Sequence, residues 1–313
     1  MVDRDDVLAA REVIAGRVHR TPTLSSASLE REVGVRVFLK AELLQRTGSF
    51  KVRGALNKLS SLSDDEKRRG VIGISAGNHA QAVAYGAAQE GVSALVVMWQ
   101  GASEQKIAAT RGYGAEVDLE ATGPGEAFER LDQLLAQTGR TLVHPFDDPL
   151  VIAGQGTVGL EIAEDVPDAD VIVVPAGGGG LTSGIAAAVD ARVVAVEPQG
   201  STALAQGIDA GEPVPVAPES VADALNAPFA GANCIAICRE RGVAAVQVDE
   251  AEIKAGMRFA YERAKLASEP GGSAAIAALL AGKVPLDDAK TVVAVVSGGN
   301  VATQTAVAIL ARR

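Results

Sequence analysis

The sequence predicts an α/β protein made of two doubly wound units, each with a parallel sheet covered by helices. The chain has 313 residues, 48% of them hydrophobic, so it can bury a core large enough for two domains. Aromatic residues make up only 3%. The apolar weight therefore lies in Ala, Val, Leu and Ile, which suits buried parallel strands flanked by Ala-rich helices. Apolar runs alternate with helical segments, as is typical of β-α-β units.

The first unit is predicted between residues 71 and 139. Apolar runs of strand length alternate there with longer segments of helical periodicity, and short connections join them. The predicted strands are 71–75, 93–99 and 115–120, and the predicted helices are 79–91, 103–114 and 125–139. Because a helix follows each strand, the sheet should be parallel and covered on both faces.

The same pattern restarts at residue 170. The predicted strands are 170–176, 192–198, 244–249 and 290–297, with a helix from Leu181 and a long amphipathic helix over 250–267. Ligands of doubly wound folds bind beyond the carboxyl ends of the strands. The residues just after each strand are therefore the first candidates for a functional site.

Composition and charge argue against several classes of partner. The net charge is −10 and no basic block occurs, so we expect no nucleic-acid partner. The charged N-terminus lacks the apolar stretch of a signal peptide, and no apolar run approaches the length of a membrane span, so we expect no membrane partner. Cys234 and Cys238 are expected to lie one helical turn apart as buried apolar residues, which favours a reducing, cytoplasmic setting.

Four consecutive glycines, Gly177, Gly178, Gly179 and Gly180, follow a predicted strand and open a predicted helix. Backbone N–H groups can converge there on an anion, and the helix N-terminus adds a favourable dipole, so the segment predicts a phosphate site. The alternative is a tight turn with close helix–strand packing. The segment is neither a P-loop, since it lacks the Lys-Ser/Thr ending, nor a dinucleotide fingerprint, since Thr182 replaces the last glycine.

Four predicted strand-to-loop junctions carry candidate residues, and the glycine run is the first of them. Lys51 lies at the second, among small polar residues in TGSFKVRG, residues 47–54. A lysine used for Schiff-base chemistry must lose its proton at the working pH, and partial burial promotes this. A lysine at the start of a helix is otherwise usually a solvated charge. The neighbouring junctions therefore decide which interpretation applies to Lys51.

Two further junctions carry polar residues. Ser75, Gly77 and Asn78 end a strand and open a helix at His79. Backbone N–H groups there can hold a carboxylate, although a plain helix N-cap is the alternative. Ser297 ends the last predicted strand, where its hydroxyl could bond a ring nitrogen.

Together these segments resemble the threonine dehydratase and serine racemase group of fold-type II enzymes, which use pyridoxal 5′-phosphate (PLP). The resemblance covers nearly the whole chain, in motifs that include TGSFKVRGA, SAGNHAQAVA, HPFDDPLVIAGQGT, GGGGLTSGIA and SGGNV. It implies a tryptophan synthase β-like fold. The cofactor would lie in the cleft between a small domain, 46–141, and a large domain formed by 1–45 and 142–313.

The resemblance also implies a role for each candidate residue. Lys51 carries the cofactor as a Schiff base and, once displaced, takes the α-proton of the substrate. Phe50 packs beside the ring, Asn78 bonds the ring hydroxyl oxygen, Gly177, Gly178, Gly179, Gly180 and the backbone of Leu181 hold the phosphate, Ser297 partners the pyridine nitrogen, and Ser75, Gly77 and His79 line the substrate carboxylate site.

The implied function is that of a PLP-dependent ammonia-lyase, which converts L-threonine, L-serine or a related 3-hydroxy-amino acid to a 2-oxo acid and ammonia. Similar serine racemases have a second serine where this chain has Ala76, and that serine acts as the acid/base on the opposite face of the substrate. A methyl group cannot transfer a proton, so elimination is favoured over racemisation. The alternatives are an amino-acid racemase on the same scaffold and a non-catalytic protein that binds a phosphate ligand and has no need of Lys51.

The resemblance predicts no tightly bound divalent metal. In metal-dependent relatives, a glutamate and an aspartate six residues later complete the site. Here Glu197 matches the glutamate, but Ala203 occupies the second position, and a hard cation needs several oxygen ligands. By analogy with relatives, we also expect a homo-oligomer.

Overall fold

The computed structural model describes residues 1–311, except for the side chain of Pro124. Within these residues the strands form two sheets, one of six strands and one of four. In chain order the strands are β1 (Thr23–Ser25), β2 (Arg36–Lys40), β3 (Val71–Ile74), β4 (Ala94–Trp99), β5 (Glu116–Ala121), β6 (Thr141–Leu142), β7 (Val171–Pro175), β8 (Arg192–Pro198), β9 (Ala244–Val248) and β10 (Thr291–Val295).

The larger sheet has the strand order β1-β2-β10-β7-β8-β9. Its neighbouring strands are parallel, except that β1 runs antiparallel to β2 at the edge. β7 and β10 are buried along their whole length, which explains why both read as nearly unbroken apolar runs. The sequence did not predict β1, β2 or β6. β1 and β6 are very short, and β2 begins and ends with a charged residue.

The smaller sheet has the strand order β5-β4-β3-β6, and its pairs are all parallel. With helices on both sheets, the predicted α/β class is confirmed. The small sheet includes strands from Val71 to Leu142, whereas the domain limits of 46 and 141 remain a prediction.

Helices cover both faces of both sheets. They are α1 (Arg4–Ile14), α2 (Ala27–Val33), α3 (Lys51–Ser60), α4 (Asp64–Arg69), α5 (Asn78–Glu90), α6 (Glu104–Gly112), α7 (Pro124–Thr138), α8 (Pro149–Asp165), α9 (Gly180–Ala188), α10 (Ala203–Ala210), α11 (Ala232–Glu240), α12 (Glu250–Phe259), α13 (Ala274–Leu280) and α14 (Thr303–Leu310). Cys234 and Cys238 lie one turn apart in α11 and both are buried, as predicted.

The core follows the two-residue period of the strands. In β7, Ile172 and Val174 belong to the apolar cluster on one face of the large sheet, while Val171 and Val173 belong to the cluster on the other face. Because successive strand residues point to opposite faces, one apolar run serves both clusters.

Two predictions about local structure are wrong in detail. Residues 47–54 do not directly follow a strand, because two short 3-10 turns, Glu42–Leu44 and Arg46–Gly48, lie between β2 and α3. The helix predicted over 250–267 ends at Phe259 and continues as one π-helical turn, Ala260–Ala264. Neither the 3-10 turns nor the π turn leaves a distinct hydrophobic period in the sequence.

Candidate active site

A cleft of about 490 Å³ lies between the two sheets, where the segments that follow β3, β7 and β10 meet. The structure places every site residue predicted from the sequence along this cleft. These residues are Phe50, Lys51, Ser75, Gly77, Asn78, His79, Gly177, Gly178, Gly179, Gly180, Leu181 and Ser297. Their predicted roles stay predictions, but the structure brings them together from both sheets: Asn78 follows β3 of the small sheet, and Gly177 and Ser297 follow β7 and β10 of the large one.

Lys51 is the first residue of α3. Its Nζ donates a hydrogen bond to the carbonyl oxygen of Pro145 at 2.7 Å and lies 5.2 Å from the centre of the Phe50 ring. Burial lowers the pKa of Lys51 from 10.5 to about 8, so about one amine in ten is neutral at pH 7. A helix N-terminus also disfavours a cation. The structure therefore supplies a partly neutral amine, which is the form that attacks a carbonyl.

The glycines at 177–180 connect β7 to α9. A Cβ added at Gly178 would lie 2.4 Å from the ring of Phe146, and one at Gly179 would lie 2.9 Å from the Cβ of Cys234. Gly179 also has a φ of +94°. Close packing and a left-handed backbone therefore account for these two glycines without any ligand. The alternative interpretation of this segment, close helix–strand packing, applies whether or not a phosphate binds.

The first turn of α9 carries the stronger indication of an anion site. The initial N–H groups of a helix have no partner within the helix, and α9 begins at Gly180, on the cleft. The Oγ1 atom of Thr182 is buried and has no hydrogen-bond partner among the described residues. Sequence reasoning missed Thr182 as a donor, although a hydroxyl in the first turn after a glycine run was a signal for it.

The Asn78 amide, at the start of α5, is held from two sides. Its Nδ2 donates to Oε1 of Glu269 at 2.6 Å, and its Oδ1 accepts from Nδ2 of Asn300 at 2.8 Å. Sequence reasoning assigned no role to Glu269 or Asn300. Asn300 belongs to the SGGNV motif quoted above, but no pattern in the sequence placed it or Glu269 beside a residue about 200 positions earlier.

His79 is buried, and this burial, together with the positive charge of Lys51, lowers its pKa to about 3. Its Nε2 lies 2.8 Å from the carbonyl oxygen of Val143, so the neutral ring must carry its proton on Nε2. Nδ1 is then an acceptor, and a carboxylate cannot bond to it. The predicted role of His79 at a carboxylate therefore requires its backbone N–H.

Ser75 and Ala76 complete the loop between β3 and α5. The hydroxyl oxygen of Ser75 accepts the backbone N–H of Gly77 at 3.0 Å, which shapes the loop. Ala76 lines the cleft with its methyl group. Ser297 is tied to the start of α3 through its carbonyl oxygen, which accepts the N–H of Phe50 at 3.2 Å.

Lys106 on α6 and Asp223, which follows α10, form an ion pair at the cleft. The side chain of Lys106 is mostly buried, whereas Asp223 is exposed. Because α6 packs on the small sheet and Asp223 lies with the large one, this pair joins the two sides of the cleft. Sequence reasoning assigned no role to either residue.

Glu197, the residue considered for a metal site, accepts hydrogen bonds from the backbone N–H groups of Leu204 and Ala205 at 2.7 and 2.9 Å. Burial raises its pKa to about 7. Within residues 1–311, no group of three or more His, Cys, Asp or Glu side chains is arranged to hold a metal ion. The prediction that no divalent metal binds tightly stays a prediction.

The groups around the cleft fit PLP. Lys51 offers an amine to an aldehyde, the start of α9 with the free hydroxyl of Thr182 suits a phosphate, and the Asn78 amide faces the same space. Phe50 and Phe146 supply apolar surface for an aromatic ring. The chemistry of this set is that of a cofactor site with a reactive amine.

Comparisons with known proteins agree with this chemistry. The sequence profile of a family described as "Pyridoxal-phosphate dependent enzyme" matches residues 14–298. The chain is 41% identical to the catabolic L-threonine dehydratase TdcB of Escherichia coli K12 over 305 residues, which cover 95% of this chain and 92% of the relative.

Two solved structures are similar over nearly the whole chain. Maize serine racemase superimposes with a TM-score of 0.93 and 36% identity, covering 97% of this chain and 95% of the other. The processed form of threonine deaminase isoform 2 from Solanum lycopersicum superimposes with a TM-score of 0.89 and 32% identity, covering 98% of this chain and 86% of the other. None of the helices in residues 1–311 combines the length and apolar character that a bilayer crossing requires.

Proposed function

Because the chain belongs to the family of pyridoxal-phosphate dependent enzymes, we propose that it is an ammonia-lyase acting on L-threonine, L-serine or a related 3-hydroxy-amino acid. The products are a 2-oxo acid and ammonia. The observation that carries the proposal is the amine of Lys51, which is partly neutral and faces the same cleft as the first turn of α9. The names of the relatives support threonine as a substrate.

The roles predicted from the sequence form part of this proposal. When bound, PLP serves as the electron sink for the substrate α-carbon. The start of α9 would hold its phosphate through glycines 177–180, Leu181 and Thr182, while Asn78 and Ser297 would bond its ring and Phe50 would pack against it. The backbone N–H groups of Gly77 and His79, with Ser75, hold the substrate carboxylate. The cleft then separates a small domain, 46–141, from the rest of the chain.

Lys51 is proposed to take the α-proton of the substrate. The bond from the substrate β-carbon to its hydroxyl then breaks, and the protonated Lys51 amine can return the proton to that oxygen, which leaves as water. The enamine that remains takes up one water from solvent and releases the 2-oxo acid and ammonia. The residue after Ser75 decides between elimination and racemisation. Ala76 lines the cleft. Its side chain is a methyl group, and a methyl group cannot return a proton to the opposite face of the α-carbon. Elimination is therefore the favoured outcome.

Spectroscopy and trapping test the cofactor part of the proposal. Purified protein with PLP should gain visible absorbance, and borohydride should fix the cofactor on Lys51, as peptide mass analysis would detect. Lys51→Ala should lose both signals. Lys58→Ala is the matched control, because Lys58 lies on the same helix but pairs with Asp148, outside the residues that line the cleft. A protein that stays colourless with PLP would refute the proposal.

Product analysis tests the reaction itself. Ketoacid release should be measured over a panel of 3-hydroxy-amino acids that includes L-threonine and L-serine, with chiral analysis of the remaining serine. A racemase is the second candidate, because maize serine racemase superimposes so closely. D-serine forming faster than pyruvate would establish the racemase in place of the lyase.

We also propose that the protein acts in the cytoplasm as a homo-oligomer. The buried, unpaired cysteines Cys234 and Cys238 support a reducing compartment, and relatives supply the analogy for the oligomer. Light scattering on the eluted peak of a sizing column measures the mass in solution. A mass of one chain at micromolar concentration would contradict the homo-oligomer.

A further inference from the structure

The orientation of the Asn78 amide is determined by its neighbours. Nδ2 of Asn300 donates to the carbonyl oxygen of Thr47 at 2.7 Å, and a carbonyl can only accept. The same nitrogen lies 2.8 Å from Asn78, so the atom of Asn78 that faces it must be the acceptor, Oδ1. The nitrogen of Asn78 then faces Glu269. An amide nitrogen has two N–H groups, and Glu269 accepts only one of them.

Glu269 is held rigidly beside this amide. Its side chain accepts from Asn78 at 2.6 Å, and its backbone N–H donates to the carbonyl oxygen of Gly298 at 3.0 Å. A Cβ added at Gly298 would lie 2.3 Å from Oε1 of Glu269, so the glycine at 298 leaves room for the carboxyl group in this position. Glu269 thus links the segments that carry Asn78 and Ser297.

The second carboxyl oxygen of Glu269 has no partner. Oε2 is buried without a hydrogen bond among the described residues, while the side chain lines the cleft and only 2% of the residue is exposed. A buried carboxylate needs its lone pairs satisfied. Glu269 must therefore either carry a proton or meet a polar group of a molecule bound in the cleft.

The charges around Glu269 place its titration in the neutral range. Burial, together with the negative charge of Asp223, raises its pKa to about 7, against the opposing effects of the Asn78 hydrogen bond and the positive charge of Lys106. Asp223 and Lys106 approach from opposite sides of the cleft, and they are the charged groups with a clear influence on Glu269.

We propose that Glu269 is a titratable positioning residue for the cofactor: it fixes the Asn78 amide so that the second N–H bonds the ring oxygen, and its charge controls the ionisation of that oxygen. This inference rests on the proposed function, since it takes PLP as the occupant of the cleft. When Glu269 is neutral, the ionised ring oxygen meets only the amide donor. When Glu269 is ionised, its negative charge lies one amide group away and disfavours the ionised oxygen.

The expected consequence is a pH-dependent spectrum. As pH rises through neutrality, Glu269 releases its proton to solvent. Its charge would then favour transfer of the proton shared between the Lys51 nitrogen and the ring oxygen onto the oxygen. The visible absorbance of the protein with bound PLP should therefore fall as pH rises, with a midpoint near the pKa of Glu269. The absorbance should be recorded from about pH 5.5 to about pH 8.5, a range that brackets this titration.

Two substitutions of Glu269 distinguish its effect on the orientation of the Asn78 amide from the effect of its charge. Glu269→Gln keeps an oxygen that accepts from Asn78 but cannot ionise, so it should bind PLP within about threefold of the wild-type affinity and lose the spectral transition. Glu269→Leu removes the acceptor, so it should bind PLP about tenfold more weakly or worse. Glu197→Gln is the matched control, because Glu197 is another buried carboxyl group with a raised pKa in the same half of the molecule, outside the residues that line the cleft.

The outcomes are distinct. Loss of the transition in Glu269→Gln, together with its retention in Glu197→Gln, supports the inference. A transition that persists unchanged in Glu269→Gln overturns it, as does a wild-type spectrum that does not vary with pH. If the wild-type protein gains no visible absorbance with PLP at any pH, the proposed function fails first.

Discussion

The guanidinium group of Arg53 ties α3, the helix that begins at Lys51, to α8 and to the 3-10 turn Glu42–Leu44. Arg53 is 1% exposed. It donates to both carboxyl oxygens of Glu42 at 2.8 and 2.9 Å and to both of Glu161 at 2.7 and 3.0 Å. The guanidinium group also donates hydrogen bonds to the hydroxyl of Thr157 and to the carbonyl oxygen of His19. Arg53→Ala would measure how much this buried network contributes to the stability of the fold.

In Arg53→Ala, only one buried carboxylate would be left without a positively charged partner. Without Arg53, Glu161 keeps the ammonium group of Lys40 at 2.7 Å, whereas Glu42, which is fully buried, keeps only the hydroxyl of Thr21. Removing one partner of a buried ion pair costs about 3–5 kcal/mol. At roughly 2–4 °C per kcal/mol for a large domain, the unfolding midpoint should fall by about 6–20 °C.

Thermal unfolding of the protein without added PLP, followed by circular dichroism at one scan rate, measures this effect. Arg68→Ala is the control, since Arg68 and Asp65 form an ion pair with both side chains about 70% exposed, and such pairs contribute little. Adding Glu42→Gln to Arg53→Ala should restore part of the loss, because no charge is then left buried. If Arg53→Ala and Arg68→Ala unfold at the same temperature, the reasoning is wrong.

The same variant should change the acid sensitivity of the fold. Burial acts to raise the pKa of Glu161, but the charges and hydrogen bonds of Arg53 and Lys40 outweigh it and lower the pKa overall. Stability from this group is present above its unfolded pKa and is lost as pH falls through the folded value. Arg53→Ala should therefore lose less stability than the wild type between about pH 7 and about pH 3.5. An equal or larger loss in Arg53→Ala would contradict this.

Three further predictions concern the cleft. Gly178→Ala should lower the unfolding midpoint of the protein without PLP by about 2–12 °C, because the overlap with the Phe146 ring costs about 1–3 kcal/mol. Gly125→Ala changes a glycine that lines the same cleft but meets nothing within 4 Å, and it should not lower that midpoint; equal midpoints in the two variants would refute this. The rate of cofactor attachment should rise with pH until about pH 8, as neutral Lys51 accumulates; a rate that does not vary with pH, followed by absorbance, would count against it. Ala76→Ser should raise D-serine formed relative to pyruvate by chiral chromatography, and an unchanged ratio would remove Ala76 as the reason for elimination.

Most of the fold could be predicted from the sequence, because the signal is local. The runs that became β7, β8 and β10 are apolar on both faces, as buried parallel strands must be. The positions of Asn78 and Ser297 just after predicted strands also followed from the sequence, and ligands of doubly wound folds bind at such positions. The resemblance to a family added the cofactor, which periodicity alone could not identify.

Only the tertiary structure decided which groups surround these residues. Glu269 and Asn300 bond the Asn78 amide from 191 and 222 positions away, and no pattern within a window of the sequence encodes such a contact. The same holds for His79, whose Nε2 atom bonds the carbonyl oxygen of Val143, and for Gly178, which has no room for a side chain beside Phe146. The sequence by itself determines the faces of strands and helices, because these depend on neighbouring residues. Hydrogen-bond partners, burial and the pKa of Lys51 depend on how those faces pack against one another.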